Sequence, residues 1–524
     1  MHLATALELA AHRYPAAPAL ITPGASFSYA QWNRRVNSVA RALLQAGLQP
    51  GERIAICTAN IEAAATTYFA AHKAGLACVL LNARWKEQEL LPAMEEAAVK
   101  AILFDQTTKT EVAAALRLSD RAIVPIEAGA SHRKGREVEN GLIFEEMAAR
   151  PTEAVPPVPR DDGAEATVLY TSGTTGSPKG VARSCRSDYY AAMALILEQR
   201  WERFERFLLV MPLFHTMGLH TLISMVLLNG TAFLLPRVDP EACLHLVAAG
   251  GITALYLVPT IFHDLVAAAA AASREPLPVR KLAFAGAPMS PRLMAGCREL
   301  FQPEVFVNQY GCTEMLAITV NSRLELNPHS VGRPALHSRI RIASPAQGGQ
   351  GEAAEGETGE ILVDASLPQS FLGYLNNPAA TGRAVREGWY HTGDLGYFDD
   401  RGELCLAGRV DDMIISGGEN IYPGEVERIL LAHPQVKEAA VIGIPHPRLG
   451  QAVAAFIVPG TPAPTPGELE RHCRESPQLA RYKRPCCFFF IPSLPKSAAG
   501  KVLYKLLREE ARQRANGLPA SSTT

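Results

Sequence analysis

Residues Thr171-Ser172-Gly173-Thr174-Thr175-Gly176-Ser177-Pro178-Lys179-Gly180 concentrate hydroxyls, glycines and one cation. Eight of the ten are Ser, Thr or Gly, and the only charge is Lys179. Glycines let backbone N–H groups turn inward and approach a ligand closely. Hydroxyls and a lysine add further donors, so the segment suits a polyphosphate, as nests of backbone N–H groups do elsewhere. The spacing is not that of a P-loop, which needs Gly-x-x-x-x-Gly-Lys followed by Ser or Thr. A Gly/Ser/Thr-rich stretch also suits a linker. What favours the cradle is the apolar run Ala166–Tyr170 before it, which reads as a buried strand. Ligands of α/β folds collect at strand ends.

Four further segments carry reactive types. Tyr310-Gly311-Cys312-Thr313-Glu314 follows a strand candidate, and its carboxylate and hydroxyl suit Mg²⁺ beside phosphates or a solvated turn. Trp389-Tyr390-His391-Thr392-Gly393-Asp394 places an Asp where it could accept ribose hydroxyls or cap a turn. Ser416-Gly417-Gly418-Glu419-Asn420 is a second glycine loop. Lys501 follows Ser497-Ala498-Ala499-Gly500, and by itself reads as a surface charge.

The elements that must hold these residues alternate. Val36, Val39, Ala40, Leu43 and Leu44 follow helical spacing, with Gly47 as a stop. Arg53–Cys57, Ala101–Phe104, Leu208–Pro212, Ala232–Leu235, Ala254–Val258, Leu282–Ala285 and Val305–Val307 read as strands. Helix-like segments between them predict α/β architecture with largely parallel sheets. Ala148–Asp162 reads as a linker, and Ala343–Gly359 as a turn between β segments. After Gly408-Arg409-Val410-Asp411-Asp412 a fresh pattern begins: a helix over 424–431, strands over 439–444 and 453–458, and a helix around 466–473. A compact α+β domain of about 110 residues fits there.

Bulk properties exclude several classes. With 524 residues the chain exceeds one simple core. A net charge of −1 removes the electrostatic case for a general nucleic-acid or polybasic membrane binder. Ten cysteines include no Cys-x-x-Cys pair, so reduced thiols are expected rather than a zinc or redox motif. Glu8, His12 and Arg13 interrupt the first helical pattern, which argues against a signal peptide. The longest apolar stretch, 221–236, contains Asn229-Gly230 and is short for a membrane span. A cytoplasmic protein is the expectation.

The segments YTSGTTGSPKG, MPLFHTMG, FAGAP, YGCTE, YHTGDLG, GRVDDMIISGGENIYPGEVE and LPKSAAGK occur in that order. Together they resemble the acyl-adenylate-forming (AMP-binding) superfamily over nearly the whole chain, from about Leu20 to Leu506. The resemblance implies a large N-terminal domain over 1–408, built of parallel and mixed sheets sandwiched by helices with a small β-barrel-like subdomain. It implies a hinge over 409–411 and a small mobile α+β C-terminal domain over 412–524. Thr171, Ser172, Gly173, Thr174, Thr175, Gly176 and Lys179 would wrap the ATP phosphates. Gly286, Ala287, Pro288, Tyr310 and Gly311 would line the adenine and acyl pockets. Thr313 would contact the α-phosphate and Glu314 would help hold Mg²⁺. Asp394 would take the ribose hydroxyls, assisted by Arg409, and Asp411 would be the hinge. Lys501 would touch the substrate carboxylate and α-phosphate in the first step.

The run from Asp412 to Asn420 resembles stand-alone CoA ligases, which implies ATP and coenzyme A as substrates of a carboxylic acid:CoA ligase. Gly417, Gly418 and Glu419 would line the pantetheine tunnel, and Lys483 and Arg484 suit either the CoA phosphates or an exposed basic patch. The segment Met211–Gly218 is similar to that of halobenzoate-type aryl-CoA ligases. His215, Met217, Cys312 and Met315 would join Gly286 and Gly311 around the acyl group. His215 reads more readily as a packing or gating residue than as an acid–base catalyst. Three positions depart from that branch: Cys312 replaces Thr, Leu or Met, Leu449 stands where a Trp is usual, and Cys486 replaces a basic residue. These departures weaken the claim to that branch's own substrate; the resemblance still implies an aryl or compact hydrophobic acid, in a monomer or homodimer. A medium-chain acid, a carrier protein as acceptor, and a nonenzymatic nucleotide sensor remain as alternatives.

Overall fold

The computed structural model describes residues 1–129, 141–150, 152–155, 158, 161–171, 178–344, 351–417, 419–476, 479–496 and 502–515. Two large sheets dominate it. The first has eight strands, with Arg53–Cys57, Ala77–Leu80, Ala101–Phe104, Val124–Glu127 and Glu165–Thr171 running parallel. At one side Glu165–Thr171 turns back antiparallel into Lys179–Ser184, and Thr171 pairs with Lys179. The segment expected to cradle phosphates is thus the connection of a hairpin. Ser172, Gly173, Thr174, Thr175 and Gly176 lie outside the described residues.

The second sheet has nine strands. Its centre, Arg206–Leu209, Thr231–Leu234, Ala254–Leu257, Lys281–Ala285 and Val305–Tyr310, is parallel. Antiparallel strands close its two margins. The predicted strands are present: Arg53–Cys57 and Ala101–Phe104 keep their predicted bounds, and the other five shift by one to three residues at their ends. Arg206–Leu209 stops before Pro212, whereas Val305–Tyr310 runs on to Tyr310.

One apolar core joins the sheets through helices. Glu62–Lys73 is buried at every position from Ala63 to Lys73, so it packs on all sides. Trp32, on Tyr29–Gln45, is 1% exposed and donates its indole N–H to Thr66 Oγ1 at 3.0 Å. That single bond removes the cost of burying its one polar atom. Lys73 is fully buried, and its ammonium donates to Asn37 Oδ1 at 2.6 Å.

A third sheet, where the barrel-like subdomain was expected, is antiparallel. It orders Ile340–Ala343, Gly359–Asp364, Trp389–Phe398 and Val385–Arg386, with Leu404–Arg409 also paired to Trp389–Phe398. Gly408 and Arg409 therefore belong to a strand, and the polar break after them is a 3-10 turn, Val410–Asp412.

The fourth sheet uses only residues beyond that turn: Ile414–Ser416, Glu419–Ile421, Val436–His446, Gly450–Pro459 and Cys487–Phe490. Strand alternation splits its two faces. Val453, Ala455 and Ile457 join a core with Val426, Ile429 and Leu469 from helices Pro423–Leu431 and Pro466–Glu475. Ala454, Phe456 and Val458 join a second core with Leu507 and Ala511 from helix Tyr504–Ala515. All ten cysteines are free thiols. Among the described residues no helix is long and apolar enough to cross a membrane.

Candidate active site

Strands of both large sheets end at one cavity of about 710 Å³. Thr171 and Pro178, at the two ends of the hairpin, border it. So do His215 and Met217, Gly286, Gly311, Cys312 and Thr313. These eight residues, all within segments singled out from sequence, thus meet in one space. Met315 does not line it; it is fully buried in another core, and its carbonyl accepts from the Cys312 N–H at 3.1 Å. It supports the loop from behind. Ala287 and Pro288 follow Gly286, whose φ of +87° turns the chain away from strand Lys281–Ala285.

His215 stands at the N-cap position of helix Thr216–Leu228, with no side-chain hydrogen bond to the helix start, and packs its ring on Phe214, 4.7 Å between centroids. Gly218 lets this helix start approach the preceding segment. A Cβ there would lie 2.3 Å from the Pro212 carbonyl oxygen and 2.4 Å from that of Met211.

Asp394 is the hub of a polar cluster beside this cavity's Gly311–Thr313 loop. Tyr310 Oη donates to its Oδ2 at 2.6 Å, and Arg409 Nη1 to its Oδ1 at 2.6 Å. Asp394 pairs with Arg409 across neighbouring strands. Gly393 makes room for this: its φ is +69°, and a Cβ there would sit 2.8 Å from Arg409 Nη2. Burial, and then the Asp394 charge, push the Tyr310 phenol well above its ordinary pKa, so it stays a donor.

Glu314 is 7% exposed and accepts from Tyr374 Oη at 2.8 Å. The Lys179 ammonium lies over the Tyr374 ring at 5.2 Å. Mg²⁺ is commonly held by one or two carboxylates plus substrate phosphates. One buried carboxylate beside a lysine that faces the same ring fits that ligand set. Among the described residues no cluster of three His, Cys, Asp or Glu could hold a metal by itself.

Behind Thr313 and Glu314 lies a charged network that sequence reading missed. Arg183 donates to the Thr313 carbonyl at 2.9 Å and to Asp188 Oδ1 at 2.6 Å. Asp188 Oδ1 also meets His220 Nε2 at 3.0 Å, and His220 Nδ1 meets the Thr216 carbonyl at 2.9 Å. The Arg183, Asp188 and His220 side chains are all fully buried. Burial alone would raise the Asp188 pKa; Arg183 and His220 outweigh it and hold the carboxyl far below its usual range. The network ties the Thr313–Glu314 backbone to the start of helix Thr216–Leu228. Helix Glu87–Glu96 was likewise unassigned, yet Gln88, Pro92 and Glu96 form a wall of the cavity, with Trp85 just before it. Tyr170 Oη donates to Glu96 Oε2 at 2.9 Å.

The residues expected to meet CoA lie elsewhere. None of the described ones lines the cavity. Lys483 is paired with Glu425, and Arg484 donates to the Arg474 carbonyl at 3.2 Å. Gly417 turns with φ +60° beside Leu449, and Glu419 opens the next strand. Asp411 is exposed in the 3-10 turn, where Arg508 bonds the neighbouring Asp412. Gly418 and Lys501 lie outside the described residues.

The geometry is thus a carboxylate fixed by Tyr310 and Arg409, and a cavity at the strand ends of both large sheets with the Thr171–Lys179 hairpin at its border. The chain belongs to the AMP-binding enzymes: residues 7–375 match that family, and residues 425–501 match the AMP-binding enzyme C-terminal domain. It is similar to the 4-chlorobenzoate–CoA ligase of Arthrobacter sp, 34% identical over 517 residues, spanning 96% of this chain and 95% of that one. The feruloyl-CoA synthase of Amycolatopsis sp is 34% identical over 496 residues, 93% and 95% of the two chains. The solved o-succinylbenzoate CoA synthetase of Bacillus subtilis, in complex with its acyl-adenylate intermediate, superposes with a TM-score of 0.81 at 30% identity, covering 96% of this chain and 97% of that one.

Proposed function

We propose that this AMP-forming acid–CoA ligase activates an aryl or similarly compact hydrophobic carboxylic acid. The observation that carries the reading is the cavity itself, in which Met211, Phe214, Met217 and Leu316 form an apolar wall that meets Gly286 and Thr313. Acid and adenylate then share one space. The names of the relatives, which are aryl-CoA ligases, support the same class.

A carboxylate is a poor electrophile because its leaving oxygen is bad. In the first half-reaction the acid's oxygen attacks the α-phosphorus of ATP, and pyrophosphate leaves. In the second a thiol attacks the acyl carbon, and AMP leaves. Two anions meet in the first step, so fixed positive charge and donors are what the protein must supply. Lys179 and the hydroxyl-rich hairpin serve the phosphates, Thr313 the α-phosphate, and Asp394, held by Tyr310 and Arg409, the ribose. Glu314 would hold Mg²⁺, which when bound supplies charge neutralisation at the phosphates. Lys501 serves the reacting carboxylate and α-phosphate.

The same reading divides the chain into 1–408, a hinge at 409–411 centred on Asp411, and 412–524. Rotation about the hinge would exchange Lys501 for the glycine loop at 417–419 and bring CoA in past Lys483 and Arg484. Because Lys483 is paired with Glu425, CoA phosphates would have to compete with that carboxylate. The reading also places the enzyme in the cytoplasm, as a monomer or homodimer. AMP release from a panel of carboxylic acids, with ATP and CoA present, tests it. Benzoate-sized acids should exceed octanoate by a wide margin in kcat/KM, and the reverse order overturns the aryl assignment.

A further inference from the structure

The floor of the cavity is a patch of the nine-stranded sheet. Tyr256 pairs with Ala283, and Ala285 with Gln309, across the parallel strands Ala254–Leu257, Lys281–Ala285 and Val305–Tyr310. Side chains alternate along a strand, so these four share one face. Tyr256, Ala285 and Gln309 line the cavity. The alanines between them leave a gap bounded by two large polar side chains.

Interior strands of a parallel sheet are mostly apolar, because both faces are covered. Tyr256 is 1% exposed and Gln309 2%. Buried polar atoms normally find a partner. Gln199 Nε2 donates to Gln309 Oε1 at 3.0 Å, which orients that amide. Among the described residues the Gln309 Nε2 group makes no hydrogen bond, and neither does the Tyr256 hydroxyl. Burial pushes the Tyr256 phenol above its ordinary pKa, so it keeps its proton. Two donors without partners therefore face the gap.

Their depth matches the far end of a compact acid. Gln309 lies two residues before Gly311 on its strand, roughly 7 Å deeper than the loop that carries Thr313. The reacting carboxylate belongs at that loop, so an acceptor on the opposite end of the acid would reach Gln309 and Tyr256. Among the described lining residues none is Lys or Arg, and Glu89 and Glu96 add negative charge. A second carboxylate is disfavoured there; a neutral oxygen is not.

We infer that Gln309 and Tyr256 form a polar floor that selects an aryl acid bearing a neutral acceptor oxygen, hydroxyl or alkoxy, remote from its carboxylate. The inference rests on the acid–CoA ligase reading above and names its substrate class. The physical cause is the asymmetry of hydrogen-bonded recognition. An analogue with a methyl group in place of the oxygen leaves both donors buried and unpaired, which costs more than a lost contact.

The test compares 3- and 4-hydroxybenzoate with the corresponding methylbenzoates, octanoate being the control, by AMP release with CoA. The wild-type protein should favour the better hydroxybenzoate over its methyl partner by roughly 10-fold or more in kcat/KM. Gln309→Leu and Tyr256→Phe should each shrink that ratio several-fold. Both acids are assayed on the same preparation, so a partly unfolded variant leaves the ratio intact. A wild-type preference for the methylbenzoates, or ratios unchanged in both variants, overturns the polar floor while the aryl ligase reading stands. Turnover of octanoate with no aryl acid accepted overturns both.

Discussion

Tyr310 Oη lies 2.6 Å from Asp394 Oδ2 and joins two segments 84 residues apart in sequence. The contact is charge-assisted, so it is stronger than a neutral hydrogen bond. It leaves Asp394 fixed from one side by Tyr310 and from the other by Arg409. A carboxylate held in this way presents its remaining acceptor positions in a set direction, which is what a ribose diol needs. Asp394→Ala should raise the KM for ATP by about 10- to 100-fold while the KM for the acid changes little. Tyr310→Phe should do the same more weakly. Steady-state kinetics with each substrate varied in turn decide it, and equal losses for ATP and acid would speak against a ribose contact.

Lys501 and Asp411 should separate the two half-reactions. Lys501→Ala removes charge needed where two anions meet, so ATP–pyrophosphate exchange should fall by about 100-fold or more. Transfer from a supplied acyl-adenylate to CoA should fall far less. Asp411→Pro should show the opposite pattern, because proline fixes φ and stiffens the turn Val410–Asp412. A Lys501→Ala enzyme equally slow in both halves, or an Asp411→Pro enzyme with full overall activity, would remove the respective assignment.

Residues that stand at strand ends were legible in the sequence because glycine, hydroxyl and charge break an apolar run there. Thr171, Gly311 and Thr313 announce themselves in this way, Gly286 entered through the family resemblance, and the structure gathers all four at one cavity. Gln309 and Tyr256 were not legible, since each sits inside a strand whose pattern says only that it is buried. Gln88 and Glu96 were missed for the converse reason. They lie on the polar side of an amphipathic helix, and periodicity cannot tell bulk water from a cavity. Asp188 and His220 did carry a signal, as ionisable residues within the apolar helices Cys185–Glu198 and Thr216–Leu228. Their pairing needed tertiary structure, because 32 residues separate them. Lys483 shows the limit of reading charge from sequence: a lysine suited to phosphate is already paired with Glu425.

The Arg183–Asp188–His220 network should be costly to break. Removing one partner of a buried pair leaves an uncompensated charge, and about 3–5 kcal/mol is the usual loss. Asp188→Ala should therefore lower stability by that order in urea unfolding, and raise the KM for the acid because the start of helix Thr216–Leu228 loses its anchor. The Asp188 carboxyl is held below its ordinary pKa of 3.8, so its contribution is present above that value and is lost as pH falls below it. Acid unfolding of the wild type should then be steeper than that of Asp188→Ala below about pH 4. A loss under about 1 kcal/mol would show that the network is not a structural anchor.

Glu427 gives stability the opposite pH dependence. Its carboxyl accepts the Val441 N–H at 2.8 Å and the Tyr504 O–H at 2.8 Å, and Tyr504 opens the helix that closes the second C-terminal core. Burial raises its pKa from 4.5 to about 7, against the lowering effect of those two donors. Between those values the folded protein keeps a proton that the unfolded chain has released. Stability must then fall as pH rises through that window, and level off above it. Glu427→Gln, which stays neutral, should lose this slope while keeping an acceptor for both donors. Melting temperatures of the two proteins from pH 4.5 to pH 8 should converge at the acid end and diverge towards neutrality, the variant being the more stable there relative to its own acid value. Parallel curves would mean that Glu427 is ionised in the folded state throughout. The consequence for turnover follows from position, since Tyr504 stands three residues beyond Lys501. A looser anchor at higher pH should appear first as slower adenylation, before any loss in thioester formation.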